Sequence, residues 1–434
     1  MTELPRKLTL FDASALLVGS VIGSGIFVVP RLIAQRVPDP RLVIAIWIFS
    51  GLLVLCGALT LAELGAMFPE SGGLYVYTRE AYGPFWAFLY GWTITFVVLP
   101  GSLAALTAAF LLYLGQFVVL SIWTQKAIGI AVLLSLAFVN ARGAKQGAGV
   151  QNVFTFLKVG GLAALVMLAV VTGHGTRSHF LPAAPLHASG GLLTAVGLAM
   201  ISTLFAYDGW HFVGFVAGEI RSPERNVARS IFLGVAIVIL AYVAANLAYI
   251  FVLGQARIAA SDRVATDAMA AMIGPAGATI MTLAILCSIF GAISANVLAG
   301  PRVGFAMARD GRLPAWLGRV HPRYHTPGHA IWALAGWAGV LTLTGGFEHL
   351  ITMSQFANWI FFSLVVFSVI VLRQKRPELD RPYRVAGYPW TVVLFVIVSS
   401  VFVVNTLIEA PSSALMGLGL LLLGVPVYFR RGYR

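Results

Sequence analysis

Cysteine and charge are what this sequence has least of. Two cysteines, Cys56 and Cys287, occur in 434 residues, and both sit inside apolar runs. That excludes a disulfide framework and gives redox chemistry no foothold. Charged residues make up 10% of the chain, with only 16 acidic ones, against roughly 25% charged in soluble domains. An ordinary soluble globular protein is therefore excluded. Loops are short as well: none exceeds about 25 residues, so no separate soluble domain exists to host an active site. The net charge of +13 comes with no aromatic-and-basic module apart from the apolar runs, and nucleic acid is not an expected partner. His174, His179 and His187 share one connecting loop but match no compact zinc pattern. No metal and no cofactor are expected.

What is present is apolar surface: 59% of residues are hydrophobic and the mean hydropathy is +0.89. It falls into twelve runs, each near the ~20 residues that cross a bilayer core. They extend from about Leu10 to Gln35, Leu42 to Phe68, Phe85 to Phe117, Ala127 to Val139, Val150 to Thr172, Leu192 to Val216, Ile231 to Leu253, Ala276 to Arg302, Ala330 to Thr344, Leu350 to Leu372, Tyr388 to Ile408 and Ser412 to Phe429. The chain reads as an all-α polytopic membrane protein with lipid around it. With the N-terminus inside, 21 of the 29 basic residues fall in inner loops and 7 in outer ones, Lys158 being the remaining one. The positive-inside rule then places both termini in the cytoplasm of a plasma (inner) membrane. The first run continues for a full span after a polar start, so it is expected to be retained rather than cleaved.

Two of these runs are interrupted. In the first, Gly19, Gly23 and Gly25 fall within seven residues of the stretch Gly19-Ser20-Val21-Ile22-Gly23-Ser24-Gly25-Ile26-Phe27, at about 1 kcal/mol of helix propensity each. In the sixth, Phe205-Ala206-Tyr207-Asp208-Gly209-Trp210-His211 sets an aspartate in apolar surroundings, which costs at least ~2.5 kcal/mol on the insertion scale. Glycines alone could serve close helix packing. Breaks in the first helix of spans one to five and of spans six to ten instead suit inverted five-helix repeats around a midplane site. The whole chain then forms one transmembrane unit: about 10–172, its inverted copy at about 192–372, and two further helices at about 388–429.

Half-helix ends supply the chemistry. The N–H groups of Ser24, Gly25 and Ile26 would open the second half of the first helix and attract a carboxylate. The carbonyls of Val21, Ile22, Phe205 and Ala206 would end two half-helices and attract an ammonium. A ligand carrying both charges on one carbon is an α-amino acid. A side chain at Gly25 is expected to crowd the carboxylate pocket.

At these residues the sequence resembles the amino acid, polyamine and organocation transporter superfamily, and within it the L-type amino acid transporter family, in a prokaryotic-type form. The match rests on Ile22-Gly23-Ser24-Gly25-Ile26-Phe27, on Ala62-Glu63-Leu64 through Pro69-Glu70-Ser71-Gly72-Gly73 and Tyr75-Val76-Tyr77, on Phe205 to Trp210 with Pro223 and Arg225-Asn226, and on Ala306-Met307-Ala308-Arg309-Asp310-Gly311. A fifth stretch, Leu372-Arg373 to Pro377 with Arg381-Pro382-Tyr383 and Gly387-Tyr388-Pro389, follows the tenth run. The resemblance implies the leucine-transporter-type fold, five helices repeated upside down plus two, with alternating access around the breaks. It also implies that Phe205 gates the substrate. Trp210, just past the break, is either a second gate or a space-filling aromatic.

Lys158 is the basic residue set deep in a run, where it must pair, reach water or lose its proton. The resemblance puts it where sodium sits in sodium-driven relatives, bridging the first break to the eighth helix; the alternative is a lysine snorkelling to the cytoplasmic side. Asp208 stands where many relatives have a small residue. Three roles are open: pairing with a cationic side chain, carrying a proton, or capping the second half of the sixth helix. The animal relatives join a heavy subunit through a cysteine between helices three and four; Val118 to Gln125 has none, so no disulfide-linked partner is expected, and a monomer is the expected form.

These readings converge on a sodium-independent carrier of L-amino acids, an exchanger that takes neutral and, through Asp208, cationic substrates, and not an enzyme. A proton-coupled symporter of small neutral amino acids stays open as the alternative. From other classes, an ion channel or a membrane-embedded hydrolase using Ser24 and His211 remain to be separated from it.

Overall fold

A computed structural model describes residues 4–181, 191–344, 347–409 and 411–430. Among them the architecture is helical throughout, and the sole extended pairing is an isolated bridge between Leu8 and Ile220. The chain runs through α1 (Leu10–Val21), α2 (Gly25–Arg36), α3 (Pro40–Met67), α4 (Leu74–Tyr82), α5 (Pro84–Thr93), a π-helical turn at Ile94–Val98 and α6 (Leu99–Leu114). It continues through α7 (Ile122–Ala141), α8 (Ala144–Val171), α9 (Leu192–Ala206), the single turn α10 (Phe212–Phe215), α11 (Pro223–Ala260), α12 (Val264–Ala299) and α13 (Pro301–Arg309). It closes with α14 (Gly328–Thr344), α15 (Phe347–Lys375), α16 (Trp390–Glu409), α17 (Pro411–Leu422) and α18 (Gly424–Arg430).

Among the described residues eight helices are long and apolar enough to cross a membrane, and a ninth span arises if α1 and α2, bent by 41°, count as one. Three shorter apolar helices, Thr194–Ala206, Gly328–Leu343 and Ala414–Arg430, accompany them. Helix starts reach further than the apolar runs because capped polar turns are helical too. Thus α7 begins at Ile122, where Ser121 Oγ accepts the Thr124 N–H at 3.2 Å, and α8 begins at Ala144 rather than Val150. The second half of the sixth run is shorter than a half-helix: α10 is four residues, followed by a 3-10 turn at Ala217–Glu219.

Polar anchors lie at the helix ends. Thr9 and Asp12 form a reciprocal capping box at the start of α1, and Asp12 also accepts from Lys145 Nζ at 2.6 Å and Asn152 Nδ2 at 2.8 Å. Buried Glu63 accepts from Arg373 and from the Val385 N–H at 2.7 Å, tying α3 to the segment after α15. Glu219 and Arg302 form a fully buried bidentate pair that ties the turn after α10 to α13. Arg79 on α4 pairs with Asp310 at 2.8 Å, and Arg31 with Asp262 joins α2 to the connection between α11 and α12.

A candidate substrate site between two broken helices

Each break is set by local backbone preference. Helix α1 stops at Ile22, whose ψ of 83° leaves the helical region, and Gly23 N–H turns back to Val21 O at 2.8 Å. Helix α2 then starts afresh; its first N–H groups have no preceding turn to bond, and Ser24 adds no side-chain cap. Helix α9 ends at Ala206, and Gly209 carries the chain round at φ +109°, the left-handed side that favours glycine.

The breaks pack on each other. A β-carbon at Gly209 would lie 2.9 Å from Ser20 C, and one at Gly25 would lie 2.7 Å from Ala206 Cα. Glycine at 25 is thus required first by backbone contact with α9, a nearer obstacle than a crowded carboxylate pocket. Ser20 Oγ donates to Gly209 O at 2.9 Å. Between the breaks lies a cavity of about 90 Å³, lined among others by Val21, Gly23, Ser24, Gly25, Phe205, Ala206 and Asp208. Of the residues nominated from sequence, Ile22 and Ile26 do not line it; both side chains are buried in the surrounding core.

Protein donors already hold several nominated carbonyls. Val21 O accepts from Gly23 N–H and from the Tyr242 hydroxyl at 2.8 Å. Ile22 O accepts from Lys158 Nζ at 2.7 Å and Ser288 Oγ at 3.1 Å. With two lone pairs per carbonyl, both are fully engaged. Phe205 O accepts one bond, from Asp208 N–H at 3.1 Å, and Ala206 O one side-chain bond, from Tyr242 at 2.9 Å. The free acceptor capacity lies at the α9 end.

Lys158 is 1% exposed, so it is enclosed rather than snorkelling to water. Its ammonium donates to Gly19 O at 2.9 Å, Ile22 O at 2.7 Å and Ser288 O at 2.9 Å, spending all three protons and linking α8 to the first break and α12. Tyr242 on α11 spans both breaks with one hydroxyl, and its ring packs on Trp47 and Tyr207. Tyr242, Ser288 and Ser20 were not nominated from sequence: a hydroxyl in an apolar run does not stand out, and these partners are set by tertiary packing.

Asp208 sits in the second break. Its Oδ1 accepts the Gly209 N–H and its Oδ2 the Gln355 amide, each at 2.8 Å; His211 Nδ1 lies 3.6 Å from Oδ1. The bond to Gly209 closes the turn itself, and α10 has no side-chain cap. Phe205 is partly buried on the cavity wall. Trp210 does not line the cavity; it is buried against Phe362 and Phe395. Gln355 and Asn358 do line it, and two amides in an apolar run are a signal the sequence offered. Among the described residues no group of His, Cys, Asp or Glu could hold a metal ion; His187 lies outside them.

Residues 8–417 match the amino acid permease family. This chain belongs to that family. It is 33% identical to the serine/threonine exchanger SteT of Bacillus subtilis over 98% of this chain and 97% of the relative. It is 31% identical to the large neutral amino acids transporter small subunit 2 of Mus musculus, covering 98% and 81%, and 31% identical to the human cystine/glutamate transporter, covering 98% and 85%. These relatives agree with the L-type resemblance carried by the motifs. They are transporters, and this permease is not an enzyme.

Proposed function

We propose that this permease is a sodium-independent exchanger of L-amino acids, working by alternating access around the two breaks. One observation carries the reading most: the enclosed cavity lies where helix ends of opposite dipole meet, with donors opening α2 and spare acceptors closing α9. A zwitterion bound there would place its carboxylate at Ser24, Gly25 and Ile26 and its ammonium at Phe205 O and Ala206 O. The exchanger names of SteT and similarity to the other relatives support exchange over uniport.

Sodium independence is supported by the Lys158 ammonium. It fills a cluster of three carbonyl oxygens, and a fixed cation there repels a second one. The nine spans and three shorter apolar helices suit twelve crossings, arranged as inverted repeats of five plus two. The excess of basic residues in alternate loops supports cytoplasmic termini and a plasma (inner) membrane location. The two cysteines are free, and neither lies in the loop where a heavy subunit would attach, which supports a self-sufficient chain. Phe205 on the cavity wall serves as the gate in this reading.

The test is uptake of radiolabelled amino acids into proteoliposomes. Strong stimulation by internal amino acid, unchanged when sodium is replaced by choline, is the expected result. Uptake into empty vesicles driven by a pH gradient would replace exchange with proton symport.

A further inference from the structure

Asp208 is the only acidic residue lining the cavity, and among the described residues no arginine or lysine lines it. Its two oxygens are fixed by neutral donors, Gly209 N–H and Gln355 Nε2. A carboxylate has about four lone-pair positions, so two bonds hold its direction without exhausting it. Because Gln355 gives its amide nitrogen to Asp208, the opposite atom, Oε1, is left buried without a partner. One turn further along α15, on the same face, Asn358 is buried with neither Oδ1 nor Nδ2 engaged.

The wall therefore presents three side-chain acceptors, the Asp208 carboxylate, Gln355 Oε1 and Asn358 Oδ1, against few donors. A buried acceptor left unmet is costly, and a buried charge without a partner more so. A guanidinium brings five N–H donors and no acceptor, and an ammonium three. We infer that the site selects amino acids with a cationic side chain, that Asp208 is their counter-ion, and that Gln355 is a positioning residue that aims the carboxylate. This inference rests on the zwitterion reading of the breaks given above.

The experiment compares exchange of radiolabelled L-arginine and L-serine by proteoliposomes carrying the wild-type chain, Asp208→Asn or Gln355→Leu. Wild type is expected to exchange arginine. The ratio of arginine to serine kcat/KM is expected to fall about ten- to hundredfold in Asp208→Asn, the range for one charged hydrogen bond, and by a smaller factor in Gln355→Leu. Exchange of serine without arginine by the wild type overturns the inference and leaves amino acid exchange standing, as does an unchanged ratio in both variants. Absence of exchange for every amino acid overturns the underlying function reading as well.

Discussion

Gly25 and Ala206 touch backbone to backbone: a β-carbon on the first would stand 2.7 Å from the second's Cα and 2.9 Å from its Cβ. Neither obstacle is the end of a flexible side chain, so relief requires moving the start of α2 away from the end of α9. Gly25→Ala is expected to cut exchange severely and Gly25→Val to abolish it, while both proteins still purify as monodisperse folded species. Substrate-induced thermal stabilisation checks the cause, since a displaced helix start should remove it in proportion to the added bulk.

Lys158 offers a second test. Its three bonds reach carbonyls on two helices, and bonds to a charged group contribute about 1.5–3 kcal/mol each. Lys158→Ala should lower exchange by more than about tenfold without creating sodium dependence. Uptake in sodium and in choline media, side by side, reads both parts; a normal rate would remove Lys158 from the working cycle.

Tyr242 joins the carbonyls of Val21 and Ala206 with a single hydroxyl. Tyr242→Phe keeps the ring packing on Trp47 and Tyr207 and removes only that link. A loss of about 1 kcal/mol in stability is expected, with a larger loss in exchange, because the bond couples the two parts whose relative movement opens the cavity. Unfolding midpoints and exchange rates on the same preparations separate the two effects.

How much of this was legible from sequence follows from what a single residue announces. Gly19, Gly23 and Gly25 are expensive in a helix, Asp208 and Lys158 are expensive in a bilayer, and such costs flag a position without reference to its neighbours. What Tyr242 and Ser288 do is invisible in that way, since each is unremarkable in its own run and meaningful only against carbonyls 36 and 266 residues distant. The same limit explains the carbonyls. Sequence nominated Val21 and Ile22 as acceptors for substrate, and packing delivers their lone pairs to Tyr242, Lys158 and Ser288 instead. Gln355 and Asn358 lie between these cases, being polar enough to notice in the tenth run but without an assigned direction until α15 is placed beside the break. The shortness of α10 was hidden too, because Phe212 to Phe215 continues the apolar pattern while the backbone turns away.

Glu219 and Arg302 close the last prediction. Nε meets Oε1 at 2.7 Å and Nη2 meets Oε2 at 3.1 Å, with both side chains 0% exposed, and Arg302 also donates to Leu298 O. Two charges this deep have surrendered most of their hydration, so their attraction offsets a desolvation penalty more than it adds stability. Removing one partner leaves the other charge buried and alone: Glu219→Leu or Arg302→Met should each destabilise the protein by about 3–5 kcal/mol. The double substitution removes both charges and should recover at least half of that loss, although Leu298 O then lacks its donor. A double-mutant cycle on unfolding midpoints in detergent measures the coupling. Near-additive losses would mean that Glu219 and Arg302 act independently of each other.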